Sequence, residues 1–145
     1  MMKLSNERCL LDSNILVAVA NPKSDQRQKA LDFLASGPKQ NISLVISSQN
    51  ILETASVLTH GLKIPRQKVF KAMVDIFEDP SFSFIYPNAL TVQTFFRLAK
   101  ENANVHLVDL FLAATALAHN ISIVITNDRD FEKIKGIKVY NPFAS

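Results

Sequence analysis

The chain contains a single cysteine, Cys9, and only three glycines among its 145 residues. One cysteine excludes an internal disulfide bond and a zinc site built from several thiolates. A glycine-rich loop that would cradle nucleotide phosphates is missing, which disfavours a nucleotide hydrolase. The sequence also lacks a low-complexity tract and an internal repeat. We therefore expect one compact domain over residues 1–145, with Cys9 buried as a small apolar residue of the first strand.

Long uninterrupted apolar runs are also missing. The N-terminal segment lacks the apolar stretch of a signal peptide. The most apolar region, residues 107–125, is interrupted by polar side chains, so we expect no membrane span and a soluble, cytoplasmic protein. Hydrophobic residues still make up 48% of the chain, which is enough for a substantial core. The net charge of +3 permits a polyanionic partner without identifying one.

Short, continuously apolar segments alternate with segments of helical periodicity along the chain. The predicted strands cover residues 9–12, 42–47, 82–86, 121–126 and 137–140. The predicted helices begin after residue 12 and then cover 24–36, 47–62, 65–78, 88–101 and 107–119, with a short helix within 127–136. Ser24 is the expected N-cap of the second helix, and Ser47 or Ser48 that of the third. Buried strands alternating with helices predict the α/β class, with a parallel sheet covered on both faces.

Four acidic residues interrupt apolar segments or follow predicted strands: Asp12, Glu53, Asp109 and Asp128. Taken alone, each is most often a helix cap or a favourable contact with a helix dipole. Parallel sheets bind ligands outside the carboxyl ends of their strands, where Asp12 and Asp128 are expected to lie. Four gathered carboxylates repel one another unless they share protons or bind a cation. Hard divalent ions such as Mg²⁺ and Mn²⁺ prefer such oxygen ligands.

Other titratable residues near these positions have a simpler interpretation. His60, His106 and His119 do not show the spacing of a zinc site, and we expect them to cap helices or lie on the surface. Asp130 directly precedes the sequence FEKI and is the expected N-cap of the last short helix.

Together these segments resemble the PIN-domain ribonucleases, and most of all the VapC-type toxins of bacterial toxin–antitoxin pairs. The likeness rests on Asp12, Ser13 and Asn14 after the first strand, on Glu53 within a helix, and on the segments LVDLFLAATALAHN and VITNDRDF. It extends from about residue 9 to residue 140, nearly the whole chain. The most specific parts are the Asp-x-Asn opening and the block 106–131, whereas many helices carry a glutamate such as Glu53.

The resemblance implies a three-layer α/β/α sandwich with a mainly parallel sheet and the acids collected at one edge. It implies an endoribonuclease that hydrolyses RNA with water activated by Mg²⁺ or Mn²⁺, and it assigns the four acids as catalytic metal ligands. Asn14 and Thr126 match residues that support the site by hydrogen bonding. Asp130 matches the second acid of the closing motif, which either contributes to the site or only caps a helix. The implied partners are a small antitoxin and a second copy of the chain, in a homodimer or higher oligomer.

The basic residues are unevenly distributed along the sequence. Residues 54–74 contain no acid, yet they carry Lys63, Arg66, Lys68 and Lys71, directly after the helix with Glu53. We expect these residues, together with Arg129 of the closing motif, to contact the phosphates of an RNA. The alternative for each lysine is an ordinary solvated helix face.

Alternative functions remain open at this point. A non-catalytic nucleic-acid-binding scaffold has no reason to tolerate four repelling acids. A phosphatase with an aspartyl nucleophile would need a second acid two residues after Asp12, where the chain has Asn14. Among ribonucleases, a housekeeping RNA-processing enzyme is the alternative to a toxin.

Overall fold

The computed structural model describes residues 3–144. The strands are β1 (Arg8–Leu11), β2 (Ser43–Ser47), β3 (Phe82–Ile85), β4 (Ile123–Ile125) and β5 (Lys138–Tyr140). The α-helices are α1 (Ser13–Ala20), α2 (Arg27–Ser36), α3 (Ser48–Ser56), α4 (Arg66–Glu78), α5 (Ala89–Glu101) and α6 (Leu107–Ala118). A π-helical turn (Val57–Gly61) continues α3, and 3₁₀ turns cover Pro38–Gln40 and Arg129–Lys133. Within these residues, no helix combines the length and apolar character needed to cross a membrane.

The five strands form one parallel sheet in the order β3-β2-β1-β4-β5. The chain fills one side of the sheet from β1 to β3 and then crosses over to β4, so the direction of winding changes between β1 and β4. In such sheets a crevice opens at this position, beyond the carboxyl ends of the two strands. Leu11 pairs with Ile125 there, so the next residues of both strands, Asp12 and Thr126, lie side by side at the crevice.

Helices cover both faces of the sheet, because successive strand residues point to opposite sides. Leu10 and Val124 pack with the buried residues of α5 and α6. Cys9 and Leu11 point the other way and pack with α1 and α2, and Cys9 is fully buried. A smaller cluster joins α3 and α4 to α1. The α/β/α sandwich predicted from the sequence is confirmed, and its sheet is parallel throughout the described residues.

Helix caps show where local sequence signals were sufficient. Ser47 caps α3 in a capping box, in which Asn50 Oδ1 accepts from the Ser47 backbone N–H at 2.9 Å. The prediction for Ser24 is wrong, because α2 begins at Arg27 and its N-cap is Gln26. The Ser24 hydroxyl instead accepts from the Gln26 backbone N–H at 3.2 Å, and the Ser24 carbonyl accepts from Arg27. Ser24 therefore stabilises a turn before the helix.

Candidate active site

Asp12 stands at the junction of β1 and α1 and is 6% exposed. Its backbone N–H continues the β1–β4 ladder by donating to the Ile125 carbonyl at 2.9 Å. Its Oδ1 accepts from the Ser13 backbone N–H at 2.7 Å, so Asp12 is also the N-cap of α1. The strand and the helix thus fix the carboxylate from both sides. This explains how a core segment accommodates an acid at this position.

Thr126 holds the other oxygen of Asp12. The Thr126 hydroxyl donates to Asp12 Oδ2 at 2.8 Å and accepts from Asn14 Nδ2 at 2.8 Å and from the Asp128 backbone N–H at 3.0 Å. One donated and two accepted bonds use the full hydrogen-bonding capacity of a hydroxyl. In this structure Thr126 therefore holds Asp12 and Asn14 together by hydrogen bonds.

Asn127 belongs to the same network and was not among the predicted site residues. Its side-chain oxygen accepts from Asn14 Nδ2 at 2.7 Å, while Asp12 Oδ2 lies 3.3 Å from the same nitrogen. These acceptors fix the orientation of the Asn14 amide, since a flipped amide would turn its oxygen towards other oxygens. Asn14 Oδ1 is then buried without a hydrogen-bond partner.

Asp128 is placed by β4 and the 3₁₀ turn that follows it. Its Oδ1 accepts from the Asp130 backbone N–H at 2.9 Å, which makes Asp128 the N-cap of that turn. The expectation that Asp130 is the cap is therefore wrong, because the turn begins at Arg129 and its cap lies two residues before Asp130. Asp130 lies inside the turn, where its Oδ1 forms an ion pair with Lys133 Nζ at 2.9 Å.

Glu53 and Asp109 approach the crevice from two different helices. Glu53 lies on α3 and Asp109 in the first turn of α6, and both are partly buried. Gln49, one turn before Glu53, joins the two helices by donating from Nε2 to the Val108 carbonyl at 2.9 Å. Gln49 was not predicted from the sequence as a site residue. The signal was its position four residues before Glu53, which places both side chains on one helix face.

The electrostatics show that the acids act on one another. Burial raises the pKa of Asp12, and Asp128 raises it further, against the lowering effect of hydrogen bonds from Thr126 and Ser13. Burial also raises the pKa of Asp109 to about 6, with Asp12 and Asp128 as the next causes. Burial and then Asp12 raise the pKa of Glu53. All four predicted acids therefore lie within one electrostatic field.

The donor chemistry of this crevice fits a hard divalent cation. Three oxygen acceptors of these residues are buried without a hydrogen-bond donor: the carboxylate oxygen Glu53 Oε1 and the amide oxygens Asn14 Oδ1 and Gln49 Oε1. Oxygen ligands of this kind suit Mg²⁺ or Mn²⁺ and not zinc. Within residues 3–144, however, no three acidic, histidine or cysteine side chains converge closely enough to form a metal-binding group. The acids interact electrostatically, but in the described structure they are too far apart to enclose a metal ion.

The predicted basic residues are all exposed. Lys63 and Lys68 lie beside Lys23, where α1 gives way to α2. Arg66 and Lys71 share α4 with Lys68. Arg129 follows Asp128 and contacts Glu132 at 3.7 Å in an exposed ion pair. His106 caps α6 through its Nδ1, which accepts from the Val108 N–H at 3.3 Å, as the capping prediction expected.

Comparisons with known proteins agree with this architecture. A family model described as the PIN domain matches residues 9–137. No curated protein sequence matches the chain. Among solved structures, the fold is similar to VapBC2 from Rickettsia felis bound to a promoter DNA fragment, with 24% identity, a TM-score of 0.69, and 92% of this chain and 98% of that chain covered.

Two further structures show the same likeness. A toxin–antitoxin complex from Klebsiella pneumoniae has 24% identity and a TM-score of 0.66 over 92% of this chain and 97% of that chain. VapC20 from Mycobacterium tuberculosis, described as a Sarcin-Ricin loop cleaving toxin, has 18% identity and a TM-score of 0.69. The match covers 86% of this chain and 92% of that chain. At these identities the likeness shows a shared fold.

Proposed function

This chain belongs to the PIN-domain family, and from that premise we propose that it is a metal-dependent endoribonuclease, the toxin of a toxin–antitoxin pair. The observation that carries the proposal is the set of carboxylates at the β1–β4 crevice. Asp12, Glu53 and Asp109 come from a strand and two helices, and burial and mutual repulsion raise their pKa values. A fold retains such a costly arrangement where it has chemistry to perform.

Asp12, Glu53, Asp109 and Asp128 would hold Mg²⁺ or Mn²⁺ in this mechanism. The bound ion supplies charge neutralisation at a phosphate and lowers the pKa of a bound water. The chain itself supplies orientation, because Thr126 and the Ser13 N–H keep Asp12 in one rotamer before any ligand arrives.

Glu53 has a second possible task in the same proposal. Its Oε1 is buried and accepts no hydrogen bond, so it is free to take up a proton from the attacking water. The raised pKa of Glu53 favours this role, since a carboxylate binds a proton more readily when burial and Asp12 destabilise its charge.

The RNA and protein partners belong to the proposal as well. Lys63, Arg66, Lys68, Lys71 and Arg129 would contact phosphates of the RNA, and all five are exposed. The structural neighbours include antitoxin complexes, which supports a small antitoxin as partner and a cytoplasmic location. Exposed apolar side chains on α3, α5 and α6 support a second copy of the chain as a further partner: Leu52, Phe96 and Leu107 are at least 60% exposed.

The test of the nuclease is the cleavage of a structured RNA in the presence of Mg²⁺ or Mn²⁺. We expect Asp12→Asn and Asp109→Asn each to lower the cleavage rate by about 10²–10³-fold, because each removes a carboxylate that would hold the cation at the reacting phosphate. Asp32→Asn, an exposed acid on α2, is the matched control and should cleave at the wild-type rate. EDTA should abolish cleavage by the wild type.

Wild-type rates in both site variants would refute the site, and cleavage that persists in EDTA would refute the metal mechanism. RNA binding without cleavage would favour the non-catalytic scaffold. A toxin and a housekeeping nuclease differ in their effect on the cell. Expression of the toxin should arrest growth, Asp12→Asn should relieve the arrest, and a small neighbouring reading frame should encode the antitoxin. A housekeeping enzyme would leave growth unchanged.

A further inference from the structure

A cavity of about 470 Å³ lies between the segment that follows α1 and the segment that precedes α4. Three lysines line it: Lys23 from the first segment, Lys63 from the second, and Lys68 from the first turn of α4. No acidic residue lines the cavity. Three lysine residues from two segments of the chain therefore line one cavity.

These ammonium groups are not neutralised by the protein. The ion pairs among residues 3–144 involve Arg97, Arg129 and Lys133, and none of them involves a lysine of the cavity. Asp25 is close to Lys23 in sequence but is exposed and does not line the cavity. Like charges gathered without a counter-charge attract an anion from solution.

The backbone at the cavity adds to the positive field. Arg66 and Gln67 open the 13-residue helix α4 after Pro65, and first-turn N–H groups have no acceptor within their own helix. Lys63 adopts a left-handed backbone conformation with φ of 55°, which costs a non-glycine residue about 1 kcal/mol or more. The Ile64 N–H fixes this connection by donating to the Leu58 carbonyl at 2.9 Å.

The cavity is separate from the carboxylate crevice. Asp12 is the N-cap of α1, and Asn21, which lines the cavity, is its C-cap. Nine residue steps of a helix correspond to about 14 Å along its axis. At about 3.4 Å per stacked nucleotide, this separation equals about four nucleotides of one strand.

We propose that this cavity binds a backbone phosphate of the RNA substrate, about four nucleotides from the bond that lies at the carboxylates. The inference rests on the proposed ribonuclease function and names Lys23, which the sequence pattern did not include. A phosphate has several acceptor oxygens. It therefore suits a cavity whose donors are three lysines and the two free N–H groups at the start of α4. Arg66 and Lys71 extend the same charge along α4 and guide the strand.

The test measures RNA binding by fluorescence anisotropy in the Asp12→Asn protein, which holds RNA without cutting it. The probes are a trinucleotide and a single strand of about 12 nucleotides, because only the longer one spans both sites. The cavity variant combines Lys23→Gln, Lys63→Asn and Lys68→Gln; asparagine tolerates the positive φ of residue 63. Lys39→Gln, an exposed lysine before β2, is the matched control.

We expect the cavity variant to bind the longer RNA about tenfold more weakly. The slope of log K against log salt concentration should become shallower by about 0.7, which is the contribution of one phosphate contact on a single strand. The preference for the longer RNA over the trinucleotide should fall in parallel. Lys39→Gln should retain wild-type binding, and thermal melting should show that all variants are folded.

Unchanged affinity and salt dependence in the cavity variant would overturn the proposal. An equal loss with Lys39→Gln would overturn it too, because net charge alone would then explain the effect. Loss of duplex DNA binding with RNA binding retained would identify DNA as the ligand instead. Wild-type cleavage is measured separately, so a protein that binds RNA through the cavity but never cuts it refutes the nuclease and not the phosphate site.

Discussion

The two halves of the carboxylate crevice are built differently. In the strand half, Asp12 receives hydrogen bonds from the Thr126 hydroxyl and the Ser13 N–H, and Thr126 in turn is fully hydrogen-bonded. In the helix half, Gln49 Oε1 and Glu53 Oε1 are buried without a donor. The protein therefore satisfies both oxygens of Asp12 with its own groups, although Asn14 Oδ1 beside them has no donor, whereas the carboxylate of the helix half keeps an oxygen without a donor.

This difference indicates which half depends on a ligand. A buried acceptor without a donor costs about 1–3 kcal/mol, and a cation or a water bound to it removes that cost. Loss of a protein hydrogen bond in the strand half should consequently lower the stability of the fold. In the helix half, stability should depend on the bound metal and on pH.

The largest effect on stability is expected from Thr126→Val, which breaks the strand half without touching a carboxylate. Valine has a similar shape but no hydroxyl, so Asp12 Oδ2 loses its donor and the Asp128 N–H loses its acceptor. We expect the free energy of unfolding to fall by about 2 kcal/mol in urea denaturation. Thr126→Ser keeps the hydroxyl and should recover most of the loss. Equal losses in both variants would mean that the hydroxyl is not the stabilising group.

The next effect concerns the helix half and its cation. Mn²⁺ at ten times its dissociation constant should stabilise the wild type by about 1.4 kcal/mol relative to EDTA, because only the folded chain gathers the ligands. The double variant Glu53→Gln with Asp109→Asn should lose most of this stabilisation, as measured by thermal melting. If Mn²⁺ stabilised the double variant as much as the wild type, the ion would be bound elsewhere.

The smallest effect is a pH dependence of the free energy of unfolding, which Asp109 causes. Burial raises its pKa in the folded chain to about 6 from the ordinary value of 3.8. The unfolded chain therefore ionises first as the pH rises, and the wild type loses stability between about pH 4 and pH 6. In EDTA, Asp109→Asn should match the wild type near pH 4 and exceed it at pH 7 by about 0.5–1 kcal/mol, since a half-buried charge is screened.

Asp32→Asn is the control for the loss of one negative charge and should show no such change between pH 4 and pH 7. A constant difference between Asp109→Asn and the wild type across this range would mean that the asparagine alters packing and not charge.

The fold was predictable because strands and helices left separate signals in the sequence. Continuous apolar segments marked the strands, and residues such as Gly37 and Asp79 marked helix ends. Local capping was less certain. Ser24 and Asp130 have suitable side chains, but the helical turns begin three residues after the first and one residue before the second. A side chain that suits a cap does not itself determine which backbone turn closes.

The site was predictable where the acids interrupted apolar segments. Asp12 and Asp109 were conspicuous for that reason, whereas Gln49 and Asn127 are ordinary polar residues in sequence. Their roles arise from contacts between distant segments, such as Gln49 with the Val108 carbonyl. Lys23 was missed in the same way, because it joins Lys63 only through the fold.

The hydrogen bond between Thr126 and Asp12 joins residues 114 positions apart in the chain. The parallel pairing of β1 with β4 has the same long range, and such contacts form late because a large loop must close first. A chain emerging from the ribosome therefore exposes Asp12 long before its partner has been synthesised. If the protein is the toxin we propose, its site remains unassembled until β4 docks. Under that proposal, cleavage activity begins only after the chain has been translated through β4.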